Sequence, residues 1–130
     1  MNTQIKKSKI ANLGLALSIL MALPFIMSAS MKFRGGPEMM QGWNHFGWPE
    51  ASLIKVGFME ALSIITYLIP QTAVLGAILL TGYLGGAIAT HMRMQEGVAL
   101  QALFGVMIWG ALYMRDARLR DLIPFRKKLN

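Results

Sequence analysis

The stretch ASLIKVGFMEALSIITYLIPQTAVLGAILLTGYLGGAIAT, Ala51 to Thr90, decides the fold. It holds two apolar runs, 51–69 and 72–90, separated by Pro70-Gln71. Each run is long enough for a helix that crosses a bilayer, which needs about 17–25 mostly apolar residues. A proline lacks the N–H that a continuing helix requires, so the first helix ends at Pro70 and the chain turns back. The two runs therefore make an antiparallel helical pair.

Working outward, Ile10 to Met31 is a third apolar run and Val98 to Met114 a fourth. The run 10–31 is about 22 residues, or roughly 33 Å as a helix. Its basic start and small residues at Ser28, Ala29 and Ser30 imitate a secretory signal. A signal core is only about 7–15 residues, so this helix is expected to be retained. Pro24 is expected to kink it. The run 98–114 has about the shortest length that spans. The chain thus reads as one all-α, membrane-embedded four-helix bundle, with spans at 10–31, 51–69, 72–90 and 98–114.

Composition agrees. The 130 residues are 55% hydrophobic and 15% charged, against about 25% charged in a soluble domain. The net charge is nevertheless +7. Lys6, Lys7, Lys9, Arg115, Arg118, Arg120, Arg126, Lys127 and Lys128 fall on the side of the termini, and Lys32, Arg34, Lys55 and Arg93 on the other. Basic residues beside spans mark the cytoplasmic side and hold anionic headgroups. The termini are expected in the cytoplasm, and the charge speaks for the lipid bilayer and not for nucleic acid. Within the basic tail, 115–130, Arg115, Asp116, Arg118 and Asp121 are expected to anchor the last helix at the headgroups. The absence of cysteine excludes disulfides, thiol redox chemistry and cysteine-ligated clusters. The 11 methionines read as packing residues.

Between the first two spans, 32–50 reads as an outer loop: four glycines, Pro37 and Pro49, with Trp43, Phe46 and Trp48 interleaved. Long loops of this kind are often functional, and tryptophan belongs at the headgroup level.

Helix 51–69 carries the chemistry. At 100° per residue, Ser52, Lys55, Glu60, Ser63, Thr66 and Tyr67 share an arc of about 140°. Leu53, Ile54, Phe58, Leu62, Ile64, Ile65 and Leu68 fall opposite, as a lipid face. A charge within a membrane turns inward and pairs. Glu60 is therefore expected to meet Lys32, Lys55 or a tyrosine, either as a binding or proton-handling carboxyl or as a structural staple. In the next helix Gly82 and Gly86, extended by Ala89, have the spacing that lets another helix approach closely. His91 lies roughly 140° from that face, so a meeting with Glu60 or Lys32 needs a suitable rotation of the helix. His45 and His91 with Glu38 or Glu50 match no metal-ligand spacing, and no metal site is expected. No catalytic triad order, HExxH or phosphate loop is present.

Gly47-Trp48-Pro49 ahead of a helix with Gly57 and Glu60, then YLIPQTAVLGAILLTGYLGGAIATH (Tyr67 to His91) and WGALYMRDARLR (Trp109 to Arg120), resembles the DoxX-like family of small bacterial membrane proteins. The resemblance implies a four-helix bundle in the inner membrane. The wider group includes a membrane subunit of a thiosulfate:quinone oxidoreductase, partners of redox-detoxifying enzymes, and assembly factors. It implies less about activity; the first expectation is a redox-associated protein working beside a quinone pool or a partner oxidoreductase, with the electrons coming from a partner or substrate. The expected ligand site comprises Lys32, Trp43, Trp48, Lys55, Glu60, Tyr67 and His91, with the tryptophans over its mouth. Two other readings stand beside it: a scaffold that grips partner helices on the Gly82–Gly86–Ala89 face, and a small-solute transporter acting as a homo-oligomer.

Overall fold

The computed structural model describes residues 2–128 and is all-helical. Its helices are α1 (Asn2–Arg34), α2 (Pro37–His45), α3 (Ser52–Leu68), α4 (Ala73–Arg93), α5 (Ala99–Arg115) and α6 (Leu119–Leu122), with a 3₁₀ turn at Pro70–Thr72. The four long helices pack in a ring: α1 against α3 and α5, α4 against α3 and α5. The two apolar runs of 51–90 form the expected hairpin, with the turn at Pro70. α1 continues through Pro24 and outruns its apolar segment at both ends.

The stretch 32–50 is not a plain loop. α1 extends to Arg34, Gly35 and Gly36 take positive φ values of 63° and 104°, and α2 then begins at Pro37. Glycine adopts that backbone region without the clash a Cβ would bring, so the pair breaks the chain between two helices. Proline in the first turn and Glu38 beside the helix N-terminus start α2.

Two glycines set how closely the long helices approach. A Cβ on Gly76 of α4 would lie 2.1 Å from the Tyr67 backbone nitrogen on α3. One on Gly14 of α1 would lie 2.6 Å from the Arg115 nitrogen and 2.7 Å from the Ala111 oxygen of α5. Both contacts are at the end of the bundle that holds the start of α1 and the tail. The core between them contains Ala22, Phe25, Ile64, Tyr67, Ala77, Leu80, Ile108 and Leu112.

The expected lipid face of α3 needs a correction. Ile54, Phe58, Leu62 and Ile65 are exposed, but Leu53 and Ile64 are buried. α3 has α1 on one flank and α4 on the other, so its inward arc is wider than its polar stripe. Arg115 is also corrected. Its guanidinium donates to the Tyr67 carbonyl and lies 4.6 Å from the Tyr67 ring, tying α5 to α3 instead of reaching outward.

In the tail, Arg118 chelates Asp116 through Nε (3.1 Å) and a terminal nitrogen (3.0 Å), and Lys127 donates to Asp121 at 2.8 Å. These hydrogen bonds hold both carboxyls below the usual carboxylate range and raise Arg118 and Lys127.

Candidate functional site

The floor of the site is a polar network where α1 and α3 cross. Lys32 Nζ donates to Glu60 Oε2 at 2.8 Å and to Ser28 Oγ at 2.6 Å, and Ser28 Oγ donates to the same carboxylate oxygen at 3.1 Å. Helical spacing puts Ser28 and Lys32 on one face, four residues apart. Gly57 makes room for the lysine stem: a Cβ there would lie 3.0 Å from the Lys32 Cβ. The Lys32 and Glu60 side chains are 9% and 2% exposed. Buried charges persist only when paired and hydrogen-bonded, and here they are. The Tyr83 ring of α4 completes the floor, its centroid 5.9 Å from Lys32 Nζ.

Above the floor is a cavity of about 740 Å³. Ser28, Lys32 and Tyr83 line it below, Val56 and Met59 on the α3 side, Gly82 and Gly86 on the α4 side. Its roof is α2 and the segment after it, with Met39, Trp43, Phe46 and Trp48. Trp43 and Trp48 stack with centroids 6.1 Å apart, and Trp43 Nε1 donates to the Pro49 carbonyl (3.1 Å) and Ser52 Oγ (3.0 Å). The other edge of the roof is fastened to the end of α4. Arg93 donates to the Phe46 carbonyl, His45 Nε2 meets Glu96 at 2.8 Å, and the Phe46 and His91 rings lie 4.8 Å apart.

His91 Nδ1 is 2.8 Å from the Ala87 carbonyl, which fixes Nδ1 as the protonated nitrogen. Nε2 is then an acceptor whenever the ring is neutral. The histidines meet Glu96, not Glu38 or Glu50, and among the described residues no three such side chains form a metal-binding group.

Four of the expected ligand-site residues therefore line one cavity: Lys32, Trp43, Trp48 and His91. Glu60 lies behind them and reaches the cavity through Lys32 and Ser28. Lys55 is exposed on the outside of α3 and takes no part. Tyr67 is fully buried in the opposite half, where its hydroxyl donates to the Ile108 carbonyl at 2.7 Å and lies 3.2 Å from Ser18 Oγ. It is a structural pin. Gly82 and Gly86 have nothing within 4 Å of where a Cβ would sit, so no helix of this chain packs on them; they are cavity wall. Ser28 and Tyr83 of the floor are contributors that periodicity missed. Ser28 could have been found from its spacing to Lys32, one turn along the same helix.

The outside of the ring is apolar all round, with Leu20, Met27, Phe58, Leu62, Ile78 and Leu103 exposed. Soluble monomers seldom expose so much contiguous apolar surface. Two of the helical segments, Asn2–Arg34 and Pro70–Arg93, are long and apolar enough to cross a membrane, and α5 is a shorter apolar helix. An all-helical ring with a lipophilic exterior and a charged pair inside defines a membrane protein. The DoxX-like family profile matches residues 16–111, most of the chain, and the protein belongs to that family. No curated protein and no solved structure matches the chain.

Proposed function

We propose that this protein is a four-span protein of the bacterial inner membrane, with cytoplasmic termini, that binds the head of a quinone in its outward-facing cavity. One observation carries this reading: a buried Lys32–Glu60–Ser28 network at the floor of a mostly apolar cavity, with Glu38, Thr90 and His91 as its other polar lining, under an aromatic roof. An ammonium has three N–H donors. Two are engaged by Glu60 and Ser28, and the third has no partner among the described residues. A carbonyl oxygen is the acceptor that fits it. At the rim, His91 Nε2, with Glu96 Oε2 3.8 Å away, offers a hydrogen-bonding partner for the hydroxyl of a reduced head. Trp43 and Trp48 supply flat faces against which an aromatic ring packs. Glu60 holds Lys32 in place, and is the carboxyl through which a proton is exchanged. The redox step belongs to a partner oxidoreductase, with this chain holding the lipid-soluble carrier.

The test is mass spectrometry of the lipids that co-purify with the protein. Wild type is expected to retain a quinone, and Glu60→Gln to lose it while keeping its helical circular dichroism. A folded Glu60→Gln protein that retains quinone at the wild-type level would falsify the reading, as would a wild type that retains none.

A further inference from the structure

We infer that the cavity opens sideways into the lipid, between the outward halves of α3 and α4, and that its ligand enters by that route with its tail left in the gap. This rests on reading the cavity as a ligand site, but its geometry is independent of which ligand is held.

The two helices touch at backbone level near their shared turn, where Gly76 admits no Cβ beside Tyr67. Further along, that closeness is gone. Gly82 and Gly86 stand one helical turn apart with nothing within 4 Å, and they face Val56 and Met59 of α3 across the cavity. Met59 lines the cavity and is also 59% exposed, so it marks the boundary between inside and outside. The surface around that boundary is apolar: Phe58 and Leu62 on α3 and Leu79 on α4 are exposed. An opening framed by such side chains meets hydrocarbon, not water.

The top of the cavity is fastened instead. The roof is bonded to α3 through Trp43, to Arg93 at the end of α4 through the Phe46 carbonyl, and to Glu96 in the connection after α4 through His45. A water-borne solute would have to break those contacts, whereas a molecule dissolved in the bilayer reaches the gap directly. The ligand class follows: a lipophilic chain bearing a hydrogen-bond-accepting head small enough for the cavity, with the head at Lys32 and the chain between the helices.

The chain has no native cysteine, so one can be placed alone. Gly86→Cys, carrying a nitroxide and reconstituted in phosphatidylethanolamine–phosphatidylglycerol vesicles, is expected to collide readily with dissolved oxygen, which concentrates in lipid, and poorly with a water-soluble nickel chelate. Frequent collision with the chelate would show a water-filled entrance and overturn the proposal. Poor collision with both would show the gap covered by another helix and overturn it equally. In a second measurement, Gly86→Leu is expected to lose most of a decyl-tailed benzoquinone supplied in the vesicles while keeping the wild type's helical circular dichroism and thermal stability. Full retention of the tailed compound by Gly86→Leu would also overturn the proposal. If wild type holds no quinone at all, the functional reading fails and the nitroxide measurement still decides the opening.

Discussion

Lys32 on α1 and Glu60 on α3 form an ion pair of 2.8 Å in which neither side chain is more than a tenth exposed. Removing one member strands the other. Lys32→Met is expected to cost about 3–5 kcal/mol of stability, the penalty for an uncompensated buried charge. The double variant Lys32→Met/Glu60→Met should recover most of that loss. Unfolding free energies of the two variants check this, and equal losses in both would show that the pair contributes nothing beyond packing.

Gly76 and Gly86 lie on one helix and should respond oppositely to alanine. A methyl at Gly76 would meet the Tyr67 backbone at 2.1 Å, so Gly76→Ala should destabilise by at least about 1–3 kcal/mol. Gly86→Ala meets nothing and should be neutral or slightly stabilising, because alanine favours a helix by about 1 kcal/mol. Thermal unfolding in detergent distinguishes the two.

Tyr67 and Lys55 share the polar stripe of α3 with Glu60, yet neither belongs to the cavity. Tyr67→Phe removes the hydrogen bond to Ile108 and should cost about 0.6 kcal/mol, the average for such bonds inside a membrane protein, and at most about 1.7 kcal/mol. Lys55→Gln should change little. Both variants are expected to retain the wild type's complement of bound lipid, and loss of ligand from either would redraw the site.

The tail should respond to acid. Asp116 and Asp121 have carboxyls held low by Arg118 and Lys127. A lowered folded pKa gives a contribution that is complete above the unfolded value of about 3.9 and disappears as pH falls through the folded value. The segment around α6 should therefore be ordered at neutral pH and loosen only in strong acid. Amide NMR relaxation at Leu119–Leu122 during an acid titration reads this directly, and loosening near neutral pH would contradict it.

The hairpin of 51–90 was legible because a proline between two long apolar runs leaves few alternatives. The roof was less so. Trp43 and Trp48 marked it, but the glycines around them masked α2, whose start is written in Gly36-Pro37-Glu38 as a break, a first-turn proline and an acid. The inward and outward faces of α3 were only partly legible. Leu53 and Ile64 in the packed core and Phe58 and Ile65 on the exposed face are equally apolar, so periodicity cannot separate them. Glu60 was findable from cost alone, since a carboxyl in hydrocarbon needs a cation. Which cation it meets depends on where α1 crosses α3, and one helix's pattern does not contain that crossing.

The roof has a mechanical consequence as well. α3 and α4 meet as two arms at a joint near Gly76, and the segment from Trp43 to Phe46 is bonded to both arms at their far ends, through Ser52 and Arg93. Joint, arms and crossbar make a closed triangle, and in a triangle the length of the crossbar fixes the angle. The width of the cavity is thus set less by its walls than by the span of this short stretch, and inserting or deleting residues there should change that width with the walls untouched.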